Sequence, residues 1–76
     1  MENADLKILG SRIRERRKSL DLTQEELAAI AEIDRSYIGG VERGERNVTF
    51  TMLGSICHAL QCDVAALTNG LPEIGK

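Results

Sequence analysis

Tryptophan is missing from this chain, and aromatic residues of any kind nearly so. There is one phenylalanine and one tyrosine, 3% of 76 residues. A core without large rings must be filled by Leu, Ile, Val and Ala, which suits small helices packed together. Proline occurs once, at Pro72 near the end, so most of the chain is free to be helical. No apolar run approaches the ~20 residues that span a bilayer. The N-terminus, MENADLK, is polar and acidic, unlike a secretory leader. A cytoplasmic setting is therefore expected, in which the only two cysteines, Cys57 and Cys62, stay reduced. Cys57 lies on an apolar stripe and reads as a small buried hydrophobe. With His58 the pair offers three irregularly spaced metal ligands, and neighbours Cys57 and His58 point to different sides of a helix. No metal and no cofactor is expected. A single histidine, no nucleophile–base pair, no Gly-rich phosphate loop after a strand and room for only one small core argue against an enzyme.

What is present is helical period. Apolar residues recur at Leu6, Leu9, Ile13 and Leu20, with Arg17 where the stripe would continue, and predict a helix over about 5–20. Residues 1 to about 4 are expected to fray. Leu22 reads as a hydrophobic staple ahead of Thr23, and Thr23 with Glu26 forms a capping box. The helix it opens, about 24–31, has Leu27, Ala28, Ile30 and Ala31 available for burial. The pattern breaks at Glu32 and restarts at Ile33. Asp34 caps a helix over about 35–43, with Ile38 and Val41 inward and Gly44 suited to a left-handed end. Gly44 to Asn47 reads as an exposed loop. Thr49 caps a helix over about 50–60 with Phe50, Leu53, Ile56, Cys57 and Leu60 on its stripe. Asp63 caps a short one over about 64–69, closed by Gly70. The tail, Leu71 to Lys76, reads as irregular. Five short helices, no strand signal, no repeat and no linker make one all-α domain over 1–76.

Net charge is −2, yet the cations are not evenly spread. Arg12, Arg14, Arg16, Arg17 and Lys18 crowd one segment, with Arg12 and Arg16 one turn apart on its outer face. Arg35, Arg43 and Arg46 cluster later, and beyond Val48 only Lys76 is basic. The Arg12–Lys18 run is either a solvated helix face or part of a phosphate-facing surface.

Residues T-Q-E-E-L-A at 23–28, I-D-R-S-Y-I at 33–38 and V-E-R-G at 41–44 resemble the Cro/lambda-repressor (XRE) type of helix-turn-helix, over about Leu6 to Leu67. The string from Asp34 to Asn47 is most similar to the controller proteins of restriction–modification systems. The resemblance implies a compact five-helix lambda-repressor-like fold. It also implies a dimeric transcriptional regulator whose second central helix enters the major groove of double-stranded DNA at paired half-sites. The implied DNA contacts are Gln24, Arg35, Ser36, Tyr37, Gly39, Gly40, Arg43, Arg46 and Asn47. Gln24 can hold a phosphate at a helix N-terminus. Arg35 can bond guanine, and Ser36 several base edges. Tyr37 either reaches the DNA backbone or half-packs against the preceding helix. Gly39 and Gly40, costly inside a helix, are expected to face the groove and let the backbone approach the bases. Arg43 either reads DNA or pairs with a nearby acid such as Glu42 or Glu45. Asn47 can bond an adenine edge or a phosphate.

Val64, Leu67, Leu71 and Ile74 exceed what one small core needs and are expected to form an isologous dimer interface, unless Leu71 and Ile74 fold back over the core. An activator would also touch RNA polymerase. The alternative is a protein-interaction module or antitoxin that keeps the fold, which the acidic balance keeps open. One departure from the family matters: Glu32 stands where Gly is usual, because the backbone there takes a positive φ.

Overall fold

The computed structural model describes residues 3–74. Expected fraying of residues 1 and 2, and the tail's Gly75 and Lys76, lie outside that range. The chain forms α1 (Ala4–Ser19), α2 (Gln24–Ala31), α3 (Arg35–Glu42), α4 (Phe50–Ala59) and α5 (Val64–Thr68), with no strand among the described residues. The first helix starts earlier than expected, because Asn3 caps it: its side-chain oxygen accepts from the Asp5 and Leu6 amides. The other four caps are those read from sequence. Thr23 Oγ1 accepts from Glu26 N at 3.0 Å and Glu26 Oε1 from Thr23 N at 2.8 Å, closing the box. Asp34, Thr49 and Asp63 each accept an amide from the first turn they open. Each such cap satisfies an N–H that the helix itself leaves without a partner.

One core joins all five helices. Ile13, Leu27, Ile38, Ile56 and Leu60 are its fully buried side chains, flanked by Leu9, Ala28, Ala31, Val41, Leu53, Cys57, Ala59 and Leu67. Desolvation, and then the neighbouring Cys62, push the Cys57 thiol up to about 11, so at neutral pH it is protonated and behaves as an apolar group. Two expected core residues are outside. Ile30 is 51% exposed: Leu27, Ala28 and Ala31 define the inward arc of α2, and Ile30 falls beside it. Phe50 is 76% exposed, because it opens α4 a turn before Leu53, where the other helices no longer cover the stripe.

The cations of α1 are largely engaged within the fold. Arg12 Nη1 donates to the carbonyls of Leu67 and Asn69 at 3.0 and 2.7 Å, holding the end of α5. Arg16 donates from Nε and Nη2 to the carbonyls of Leu60 and Gln61, closing α4. Both satisfy C-terminal carbonyls that lack helical partners. Arg17 is buried. Its Nε and Nη2 form a fork on Glu42 Oε2 and Oε1 at 2.7 and 3.1 Å, and its Nη1 donates to Leu22 O. The basic run of α1 is thus neither a free solvated face nor a phosphate stripe at these three residues.

The turn between α2 and α3 is made by Glu32 in the left-handed region, φ 59° and ψ 44°. A side chain there costs about 1–2 kcal/mol, partly offset because glycine is more flexible in the unfolded chain. Glu32→Gly is expected to raise stability by about 0.5–1 kcal/mol, a gain of a few degrees in Tm, with DNA affinity unchanged. Thermal melting by circular dichroism checks it; a lower Tm would mean that the exposed Glu32 side chain holds the turn.

Candidate nucleic-acid interface

The two central helices bring the sequence-selected residues onto one side. Gln24 is the first residue of α2 and Arg35 the first of α3, and both line an open cleft of about 370 Å³ with Thr23. Arg35 and Ser36 are exposed, and Arg35 has no hydrogen bond or ion pair among the described residues. Its guanidinium is free to reach outward. Ser36 Oγ and its backbone N–H both donate to Asp34, and these bonds hold the exposed Asp34 carboxyl below its usual range. That cap stabilises fully above the ordinary aspartate pKa and is lost as pH falls through the lowered one.

Gln24 is anchored from behind. Its Nε2 donates to Glu42 Oε1 at 3.0 Å, the oxygen that also receives Arg17. Glu42 is therefore occupied by Arg17 and Gln24, and Arg43 pairs instead with Glu45, Nε to Oε1 at 3.0 Å. Both members of that pair are mostly exposed, so it is worth less than ~1 kcal/mol.

Gly39 and Gly40 are placed differently from expectation. They are buried rather than bare, covered by the side chains of Arg43, Gln24 and Arg46. A Cβ on Gly39 would lie 3.1 Å from Arg43 Nη1 and 3.6 Å from Gln24 Oε1. One on Gly40 would lie 2.8 Å from Arg46 Cγ. The missing side chains make room for arginine arms that lie along the helix. Arg46 also stacks over Tyr37, its Cζ 5.5 Å from the ring centroid. Tyr37 is half-buried against the core and its hydroxyl donates to Asn47 O, docking the loop, while Asn47 remains exposed. The ring packs inward, as one reading of Tyr37 expects, while its hydroxyl is taken up by the loop carbonyl.

Gly44, at φ 77°, ends α3 and brings its backbone against α1, where a Cβ would come within 2.6 Å of Lys7 Cγ. Of the expected dimer residues, Leu67 is 3% exposed and belongs to the protomer's own core, so it is not available to a partner. Its turn of α5 faces α1 and α4, which is why the short helix holds. Val64 and Leu71 are half-buried against the core, and Glu73 N donates to Asp5 Oδ1 as the tail folds back, but Ile74 is 88% exposed. Sequence reasoning missed Gly10 and Glu42. Glu42 carried a faint signal, an acid on the same helical face as Val41 and Ile38 opposite a cation in an apolar stripe; Gly10 carried none beyond being a glycine within a helix.

Comparison with known proteins places this geometry. A helix-turn-helix family model matches residues 13–67. The control protein C.SmaI of Serratia marcescens is 45% identical over 60 residues, covering 79% of this chain and 71% of that protein. The crystal structure of the restriction–modification controller C.AhdI from Aeromonas hydrophila superposes with a TM-score of 0.84 at 45% identity, covering 86% and 98% of the two chains. The controller C.Esp1396I, solved as a tetramer in complex with its natural 35 base-pair operator, superposes at 0.81 with 33% identity over 87% of each chain. The fold is all-α and lambda-repressor-like, and the chain belongs to the helix-turn-helix family of XRE type.

Proposed function

We propose that this protein is a sequence-specific DNA-binding transcriptional regulator that acts as a dimer on paired operator half-sites, as restriction–modification controllers do. The observation that carries the reading is the exposed, unpartnered Arg35 at the head of α3, beside Gln24 at the head of α2. Arg43 caps the far end of the same helix, and Arg46, in the loop that follows, lays its side chain back along it over Gly40 and Tyr37. A helix N-terminus beside Gln24 suits a phosphate, and Arg35 suits the O6 and N7 of guanine. The acidic net charge is no obstacle: although Arg12, Arg16 and Arg17 serve the fold, Arg35, Arg43 and Arg46 remain exposed and supply local positive charge.

One protomer reads only a few base pairs, so affinity comes from pairing. Val64, Leu71 and above all Ile74 are the proposed isologous contact. With concentration and dimerisation as the control, the protein would regulate its own promoter: low occupancy activates through RNA polymerase, high occupancy represses. The cytoplasm is the proposed site of action; no helix among the described residues is long and apolar enough to cross a membrane.

Selection of bound duplexes from random DNA by the full chain tests this. Two half-sites, their centres one helical turn or a multiple apart, are expected, with affinity falling steeply as salt rises. Arg35→Ala is expected to lose about 1–3 kcal/mol, confined to one base pair in each half-site. Sedimentation at micromolar concentration should show a dimer. Failure to enrich any duplex, or binding indifferent to salt, would return the protein-interaction alternative.

A further inference from the structure

The seat on which Arg46 lies points to a positioning role within this interface, and it rests on the DNA-reading proposal above. Tyr37 and Gly40 stand three residues apart on α3, so they share one strip of its surface. Arg46 crosses that strip. Its guanidinium carbon is 5.5 Å from the Tyr37 centroid, and its Cγ, Nε and Cδ would lie 2.8, 3.3 and 3.6 Å from a Cβ at Gly40. The Tyr37 hydroxyl donates to the Asn47 carbonyl and ties down the loop that carries the arm. Gly39 does the same for Arg43, whose Nη1 would meet a Cβ at 3.1 Å. A helix with alanine at both positions would be intrinsically more stable. Two adjacent glycines beneath two arginines are thus explained by the arms, not by the helix.

We infer that Gly40 and Tyr37 are positioning residues that hold Arg46 flat along α3 before DNA arrives, and so set which base edge or phosphate it meets. A flexible arginine ordered in advance loses less freedom on binding. The flat seat also fixes the direction in which the guanidinium leaves the helix surface. With a methyl group at residue 40, whose three nearest neighbours all belong to the Arg46 side chain, the arm must lift from the seat.

The test is site selection from random duplexes with the wild-type chain, Gly40→Ala, Arg46→Ala and the double variant, alongside thermal melting of each. Gly40→Ala is expected to melt no lower than wild type, bind the wild-type site about tenfold more weakly, and lose the same positional preference that Arg46→Ala loses. The double variant should bind no more weakly than Arg46→Ala alone, because the two changes remove one interaction. Tyr37→Phe, which keeps the ring but drops the tie to the Asn47 carbonyl, should weaken that preference, and Tyr37→Leu should abolish it. If wild type selects a site but Gly40→Ala keeps the Arg46-dependent preference, or the two losses add, the seat is refuted while the regulator reading stands. If wild type selects no site, both are overturned.

Discussion

Changing Glu42 to alanine is expected to lower the stability of the folded chain by about 3–5 kcal/mol, the cost of leaving one partner of a buried ion pair alone. The side chains of Arg17 and Glu42 are only 10% and 3% exposed, and two nitrogens of Arg17 fork onto the two oxygens of Glu42. Hydrogen bonding to Glu42 raises the Arg17 pKa; without Glu42 the guanidinium still keeps its charge, because an arginine does not deprotonate in a protein, and it stays buried without a counterion. Gln24 loses its acceptor at the same time. For a domain of this length the loss is a large fraction of total stability, and Tm should fall by more than 10 °C. Arg17→Met with Glu42→Leu together should lose much less than the sum of the single changes, since an apolar pair needs no counterion. Urea titration of wild type, Arg17→Met, Glu42→Leu and the double variant measures the coupling, with Glu42→Ala alongside. A loss below about 1 kcal/mol for Glu42→Ala would show the pair to be effectively solvated. The pair matters to function because it joins the tail of α1 to the end of α3 and holds Gln24 at the head of α2. A chain that compensates in stability by the double change should still bind DNA more weakly.

What the sequence made legible here was local. Thr23, Asp34, Thr49 and Asp63 were readable as caps because a cap is chemistry between residues two or three apart, and each stands in that role. Glu32 was readable as a left-handed turn because the family string aligns it with glycine, and its φ is 59°. Arg35 and Ser36 were readable as exposed because the inward stripe of α3 leaves them outside. The failures are non-local. Arg12 and Arg16 were indistinguishable from surface cations, since the carbonyls they reach lie 44 to 57 residues away. Leu67 looked surplus until α1 and α4 were seen to close over it. Gly39 and Gly40 stood out as costly within a helix, but a sequence does not say that Arg43 and Arg46 will lie across them. Ile30 and Phe50 show the limit of apolar pattern: it finds the face of a helix, not how much of that face is covered.

Gly10→Ala is expected to be the other severe change, and its sign is opposite to what helix propensity alone implies. Gly10 lies in the middle of α1, where alanine would ordinarily gain about 1 kcal/mol. Here a Cβ would fall 2.3 Å from Val41 O, 2.6 Å from Glu42 O and 2.8 Å from Glu42 C. These are backbone atoms of α3, which cannot rotate away as a side chain can. The two helices would have to separate, loosening the core that Ile13 and Ile38 share and opening the Arg17–Glu42 pair to water. A forced atom in a close-packed core costs about 1–3 kcal/mol or more, and backbone on both sides places Gly10→Ala at or above the upper end, with Tm lower by 10 °C or more. Gly54→Ala is the matched control. It too is a mid-helix glycine, in α4, but a Cβ there meets nothing within 4 Å, so it should raise stability by about 0.5–1 kcal/mol. Thermal melts of the two variants should move in opposite directions. Because α3 carries Arg35 and lies directly on Gly10, any folded fraction of Gly10→Ala presents its reading helix displaced from Gln24, and its operator affinity should fall even at temperatures where it stays folded. Equal Tm values for Gly10→Ala and wild type would mean that α1 and α3 do not approach this closely, and with that the depth at which α3 is held for the DNA would lose its physical basis.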